Sequence, residues 1–332
     1  MITKKELVDD LYQILTSEPQ QNRFYWNKSK GFKSEIEFSK KCELMNYPSL
    51  DGGMFLFKKT FPHFAIYATV SNAEKEKYTD FYNQLSKSSI IKNMFYIQNV
   101  GWENNKKEIL VKDGETAMLD ETTLGTGTVK LENPKVVNKQ KKIKAFVHQP
   151  KFIFSEFKSG IWHSSSLGEI RKLLESNSST ERIGSKKNSF VDYLTEYGDE
   201  EISSIYCDRF FFDVLLSGLS KGMSDIDKVI IKDGKYVLVE VKNKTPFFDD
   251  PAVNDFNKSK FGWDTRRLAW YLFLKNETNL DTLFVVAHID DKIRRNIIAW
   301  KSITINHWCN CSSWGSDTGD TQMAPYAEFL DL

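Results

Sequence analysis

Residues 222–244, GMSDIDKVIIKDGKYVLVEVKNK, constrain this chain more than any other stretch. Asp233-Gly234 sits between two apolar, β-branched runs, and Asp-Gly in that setting is among the strongest short signals for a tight hairpin turn. The turn sets a register. Lys232 pairs with Lys235, and stepping outward along both strands places Asp227 opposite Glu240 and Asp225 opposite Lys242. Because side chains alternate with period two, these four residues share one face while Val239 and Val241 turn to the other. Directly opposed like charges disfavour folding, their Cβ atoms lying only about 4.5–5.5 Å apart. A divalent cation between the carboxylates compensates, and hard oxygen ligands with positions left for water suit Mg²⁺.

Acids and lysines also alternate on the wet faces of antiparallel strands, where an Asp225–Lys242 or Glu240–Lys242 pair is only a surface ion pair. Here the acids are joined to KYVLVEVKN, an almost wholly apolar run that suits an interior strand. Charges at the end of an interior strand point to a site. Lys242 lies two residues from Glu240 on the same face, so it can orient or help deprotonate an attacking water and stabilise phosphoryl charge.

An acid at the start of one strand, a short turn and apolar residues leading into Glu-x-Lys resembles the PD-(D/E)xK, or restriction endonuclease-like, nuclease superfamily. The likeness spans roughly residues 186–306 and is specific only across residues 222–244. It implies Asp227 and Glu240 as metal ligands, the Val241 backbone carbonyl as a further ligand and Lys242 as the catalytic lysine. It also implies Mg²⁺ as cofactor, with Mn²⁺ able to substitute. Ile226 stands where the name-giving motif has proline, so Asp225 contests the role given to Asp227. Members often carry another acid on the preceding helix, and Glu196, Glu200, Glu201, Asp208 and Asp213 are all open for it.

At 332 residues and 40% hydrophobic composition, the chain can bury enough surface for two ordinary domains. Its 46 Lys and Arg nearly cancel 45 Asp and Glu, so any DNA-binding surface is local rather than global. The opening MITKKELVDDLYQIL lacks the apolar core of a signal peptide, and no apolar run reaches the roughly 18 residues of a membrane span. A soluble, cytoplasmic protein without membrane partners is expected. Cys42, Cys207, Cys309 and Cys311 are too few for a disulfide framework and are expected as thiols.

Thr3 and Glu6 have capping-box spacing ahead of Leu7, Leu11, Ile14 and Leu15, which predicts a first helix. A second amphipathic stretch passes through Ile36, Phe38 and Cys42. Strands are predicted between Met54 and Val70, in MFYIQNV and in KEILVKDGE, with a helical segment around Glu74–Leu85. Beyond a polar stretch at 176–189, read as a linker, the expected order is helix within 190–219, the hairpin, a long loop, helix 264–275 and strands 283–289 and 297–305. The expected fold is thus α/β in the mixed α+β sense: a restriction endonuclease-like mixed sheet flanked by helices at 190–332, with a separate N-terminal α/β domain at 1–175 for recognition or regulation.

The loop after Lys244 is of a length often functional, and the helix beyond it carries Arg266, Arg267, Trp270 and Tyr271. Arg267 and Tyr271 share a face. Lys244, Arg266 and Arg267 are candidate DNA contacts, as is the strip Lys139, Lys141, Lys142 and Lys144, which can equally be a solvated edge. HWCNC at 307–311 invites zinc but lacks paired-cysteine spacing and would need a distant fourth ligand such as Cys42. LGTGT at 124–128 lacks the lysine of a phosphate-binding loop and reads as a turn. The function implied is a Mg²⁺-dependent endonuclease cutting double-stranded DNA at a specific sequence, as type II restriction enzymes do, with a homodimer suited to a palindromic target. Two alternatives stand beside it: a repair, recombination or defence nuclease whose N-terminal domain senses a ligand or DNA structure, and a DNA-binding module without turnover.

Overall fold

The computed structural model describes residues 2–15, 17, 25–57, 65–112, 142–174, 194, 197–217, 219, 222–250, 252, 255–290, 296–315 and 320–332. In chain order these form α1 (Lys4–Leu15), α2 (Tyr25–Leu44), β1 (Ser49–Phe57), β2 (Ala65–Ser71), α3 (Thr79–Leu85), β3 (Ile91–Lys112), β4 (Lys142–Lys158), β5 (Ile161–Ser165), α4 (Leu167–Leu173) and α5 (Asp199–Arg209). Then follow β6 (Gly222–Lys232), β7 (Lys235–Lys244), β8 (Phe247–Phe248), β9 (Ser259–Asp264), α6 (Thr265–Thr278), β10 (Asp281–Ile289), β11 (Ile297–Thr304), α7 (Ile305–Cys311), β12 (Ser313–Trp314), β13 (Thr321–Pro325) and β14 (Leu330–Asp331). Among the described residues no helix is long and apolar enough to cross a membrane.

Two compact units interleave along the chain. One comprises Met1–Phe32, Asn99–Ile153 and Glu175–Ser220; the other comprises Lys33–Gln98, Phe154–Leu174 and Lys221–Leu332. The 176–189 stretch lies outside the described residues. In the first unit, α1 starts at the predicted capping box: the Thr3 N–H donates to Glu6 Oε2 at 2.9 Å and the Glu6 N–H donates back to Thr3 Oγ1 at 3.3 Å. Leu7, Leu11 and Ile14 are buried, and Asp10 accepts the His148 backbone N–H at 2.6 Å and meets its ring Nδ1 at 2.7 Å.

The second unit carries the hairpin. Asp233 and Gly234 adopt φ of 51° and 72°, the paired left-handed conformation of a turn that matches the twist of two antiparallel strands. Lys232 pairs with Lys235, and the ladder runs in the predicted register to Lys228 opposite Val239. The strands sit inside a ten-stranded sheet ordered β14-β11-β10-β7-β6-β1-β2-β3-β4-β5, so β7 is an interior strand, as its apolar text predicts. The β7–β10 pair is parallel, whereas β6–β7, β1–β6 and β10–β11 are antiparallel. A parallel pair needs a crossover, which α6 provides.

The expected long loop is a correction. The segment after Lys244 pairs its aromatic ends, so that β8 and β9 join β13 and β12 in a four-stranded antiparallel sheet. This sheet gives Trp263 a place to bury. Its ring stacks on Phe284 at 4.4 Å and meets Trp308 edge-on at 5.3 Å. Together with Leu268, Trp270, Tyr271 and Leu274 of α6, it covers the face of the large sheet that carries Val229, Leu238 and Phe284. The opposite face packs Ile230, Val239, Val241, Leu283 and Val285 against Phe38 and Cys42 of α2.

Trp263→Ala removes a fully enclosed ring and its stacking partners, and is expected to destabilise the chain by about 3–5 kcal/mol in urea unfolding. A loss below about 1 kcal/mol would show that the small sheet contributes little to covering the large one.

Candidate functional site

The hairpin ladder stops at Lys228 and Val239, one step short of Asp227 and Glu240. At this point β6 keeps its other neighbour, β1, with Asp51 opposite Lys228 and Gly53 opposite Ile226. Gly52 lies between them. A Cβ there would come 1.7 Å from the Ile226 carbonyl oxygen and 2.9 Å from the Asp227 carbonyl carbon, so only glycine lets β1 approach this closely. With its backbone disengaged from β7, Asp227 uses its side chain instead: Oδ2 accepts the Val241 N–H at 2.6 Å.

Glu240 and Lys242 have the parity of Leu238 and therefore emerge on the α6 face. Oxygen atoms of Asp225, Asp227 and Glu240 lie within 4.8 Å of one another. The Glu240 side chain is 0% exposed and Asp227 is 5% exposed, whereas Asp225 stands at the rim at 38%. Two cations reach the cluster. Lys242 Nζ lies 2.5 Å from Glu240 Oε1 and 3.7 Å from Asp227 Oδ2. The Arg267 guanidinium bridges Glu240 Oε1 and Asp225 Oδ1, each at 2.5 Å. Tyr271 OH donates to Glu240 Oε2 at 2.8 Å, with the Asp225 carbonyl as an alternative acceptor at 3.0 Å. Arg267 and Tyr271 are one helical turn apart on α6, which starts beneath an Asp264 cap accepting the Arg266 and Arg267 N–H groups.

Burial pushes the Asp227 carboxyl well above the usual carboxylate range; Lys242 opposes this, and the charges of Glu240, Glu35 and Asp225 reinforce it. Even with Lys242 beside it, burial leaves the anionic form of Asp227 disfavoured. Burial works against the charge on Lys242 and Arg267, but Glu240 and the two aspartates outweigh it and hold both above their ordinary ranges. Hard oxygen donors in a pocket that still disfavours a carboxylate's negative charge fit a divalent cation such as Mg²⁺ or Mn²⁺, held by Asp225, Asp227 and Glu240.

The structure therefore brings together Asp225, Asp227, Glu240, Lys242 and Arg267. Val241 supplies its N–H to the site and buries its side chain against α2. Lys244, two residues beyond Lys242, donates to the Gly262 carbonyl at 2.5 Å; burial and the neighbouring Lys242 push it down to about 8. It ties β7 to the small sheet. Arg266 is exposed. Lys139, Lys141, the Lys142 side chain and the LGTGT segment lie outside the described residues, and Lys144 belongs to the other unit, where it pairs with Glu108 at 2.9 Å.

Among the helix acids named from sequence, Glu196 lies outside the described residues and the other four belong to the other unit. The helix acid whose charge acts on Asp227 is Glu35, on α2. Glu35 is not among the acids named from sequence, which all lie in the segment immediately before the hairpin. Its one available signal was position: Glu35 adjoins Ile36 at the core-facing edge of an amphipathic helix. Gly52-Gly53 inside strand text was likewise a readable signal of close backbone approach.

Asp227→Asn should raise the unfolding temperature in chelator at pH 7 by roughly 1–3 °C, because it removes a buried charge while its amide oxygen can still accept the Val241 N–H. The sign with pH follows from the raised folded-state value. Below the ordinary carboxylate range both folded and unfolded chains hold the proton; as pH rises through it, the unfolded chain loses the proton first and stability falls. The advantage of Asp227→Asn should thus narrow as pH drops toward about 4. A constant advantage would assign it to something other than this charge.

No protein-family model matches the chain, and comparison with characterised proteins and with solved structures likewise yielded no match.

Proposed function

We propose that the protein is a Mg²⁺-dependent nuclease with a restriction endonuclease-like core, hydrolysing phosphodiester bonds of double-stranded DNA. The observation that carries this reading is the convergence of Asp225, Asp227 and Glu240 with Lys242 at the end of an interior hairpin. A structural ion pair needs one acid for each cation; three carboxylates drawn together, two of them enclosed and one at the rim, need a reason, and holding a metal supplies one. A bound Mg²⁺ would neutralise phosphoryl charge and lower the pKa of a water ligand.

The roles of the protein groups follow from their surroundings. Lys242 is held protonated by Glu240 and Asp227, which suits it to donate a hydrogen bond to a phosphoryl oxygen or to orient a water, rather than to accept a proton. Arg267 lies between two of the carboxylates that would hold the ion, and its planar fork would match a phosphate brought to the same site. Tyr271 holds the Glu240 carboxylate in orientation from the second oxygen. Gly52 keeps β1 against β6 and so sets where Asp227 stands. Site-specific cleavage by a homodimer is the form in which we propose this activity.

Digestion of a mixed plasmid set in Mg²⁺ or Mn²⁺ tests the proposal. Discrete bands are expected; a smear would point to an unselective repair or defence nuclease, and intact DNA in both metals would overturn the enzymatic reading in favour of a binding module. Asp227→Ala, Glu240→Ala and Lys242→Ala should each lower cleavage on the order of 10²-fold or more. If Asp227→Ala cuts normally while Asp225→Ala is dead, the first metal ligand is Asp225. Ca²⁺, which accepts longer and looser coordination, should permit binding in a gel shift without cleavage. Undiminished cutting in chelator would remove the metal from the mechanism.

Gly52→Ala should abolish cleavage as effectively as Asp227→Ala, because the added Cβ meets backbone that cannot yield without moving Asp227. Circular dichroism distinguishes this from global unfolding. Full activity in the alanine variant would show that the β1–β6 approach does not position the acid.

A further inference from the structure

The HWCNC segment is not absorbed by the carboxylate cluster. It forms α7, whose N-cap Thr304 accepts the His307 N–H. His307 and Cys311 are four residues apart and so share a helix face. The 3₁₀ turn Tyr326–Glu328 brings a third group to that face: His307 Nε2 lies 2.7 Å from Glu328 Oε2, and donor atoms of His307, Cys311 and Glu328 all fall within 4.8 Å of one another. The backbones that carry them are anchored from below. Trp308 is buried between Trp263, Phe284 and Phe329, and Phe329 directly follows Glu328. Cys42, named from sequence as the distant fourth ligand that a zinc site here would need, does not reach it, because it is fully buried with α2 on the opposite face of the large sheet. Cys309, two residues from either partner and exposed, points away from the shared face.

We propose that His307, Cys311 and Glu328 form a second metal site, one that takes a borderline-soft divalent cation of the Zn²⁺ type. A nitrogen, a sulfur and a carboxylate oxygen match the ligands of zinc and contrast with the all-oxygen cluster on the hairpin. Three protein ligands leave a coordination position for water or for a donor from a partner. Binding exchanges the Cys311 thiol proton, released to solvent, for a sulfur–metal bond. The His307–Glu328 pair opens slightly to admit the ion, since ligands about 2.0–2.3 Å from a tetrahedral metal stand farther apart than a hydrogen-bonded pair. The ion then clasps α7 to the segment that leads into β14. This site is independent of the nuclease reading.

Cobalt is the probe, because Co²⁺ replaces Zn²⁺ in such sites and reports thiolate ligation in its near-ultraviolet absorption. The metal-free full chain is titrated with Co²⁺ in excess Mg²⁺, which saturates the oxygen-only cluster. A thiolate-to-cobalt band with tetrahedral visible bands is expected, bleached by added Zn²⁺ and unchanged in Cys309→Ser. Cys311→Ser should lose the near-ultraviolet band. His307→Ala, at an exposed position, and Glu328→Gln, at a half-buried one, should weaken Co²⁺ binding roughly tenfold or more. Zn²⁺ should also raise the unfolding temperature of the wild-type chain and not that of Cys311→Ser. No thiolate band in the wild-type chain, or a band that follows Cys309 instead of Cys311, would overturn the site.

Discussion

The Glu240 carboxylate has no solvent, and the second unit is arranged around that condition. A charge in a dry interior is tolerated only when its partners replace the water it has lost, and removing one partner costs several kcal/mol. Glu240 has Lys242 and Arg267 on one oxygen and Tyr271 on the other. These partners lie on β7 itself and on α6, so satisfying one carboxylate also sets the distance and rotation of the helix over the sheet. The aromatic core beneath α6 reinforces the same placement through Trp270 and Trp263.

The site lies where regular pairing gives out. As far as Val239 the two strands of the hairpin pair in register; at Asp227 a side chain serves as acceptor instead, and a glycine on the neighbouring strand makes the space. Such a place has charged groups held by the fold but not consumed by it. Asp227 remains unfavourable as an anion despite Lys242, and this residual imbalance is what a cation can relieve. The His307, Cys311 and Glu328 group is built on a different principle. Its ligands stand at the surface, and rigidity comes from the buried tryptophan underneath.

Legibility in the sequence varied with the range of the interaction. The Asp233-Gly234 turn, the pairing register and the shared face of Asp227, Glu240 and Lys242 follow from local rules, since a two-residue turn leaves one alignment and alternation does the rest. Thr3 and Glu6 were readable for the same reason. The segment after Lys244 was not, because Trp263 lies in a strand that pairs on one edge with Thr321–Pro325, far along the chain, and on the other with Phe247 and Phe248. Arg267 was visible as a basic residue near the site, but whether it faces solvent or the acids depends on the rotation of α6.

The sequence by itself determined the hairpin, its register and the identity of the acid and lysine residues on one face, because these rest on contacts between near neighbours in the chain. The tertiary structure decided which other groups meet them. Glu35 reaches the charge field of Asp227 from α2, Gly52 sets its position from β1, and Arg267 and Tyr271 close over Glu240 from α6. It also brought Glu328 to His307 and Cys311. Each of these partners comes from an element other than the one it meets, and no periodicity within one segment records which face of another it will meet; only the packing of helices and strands around a shared core does.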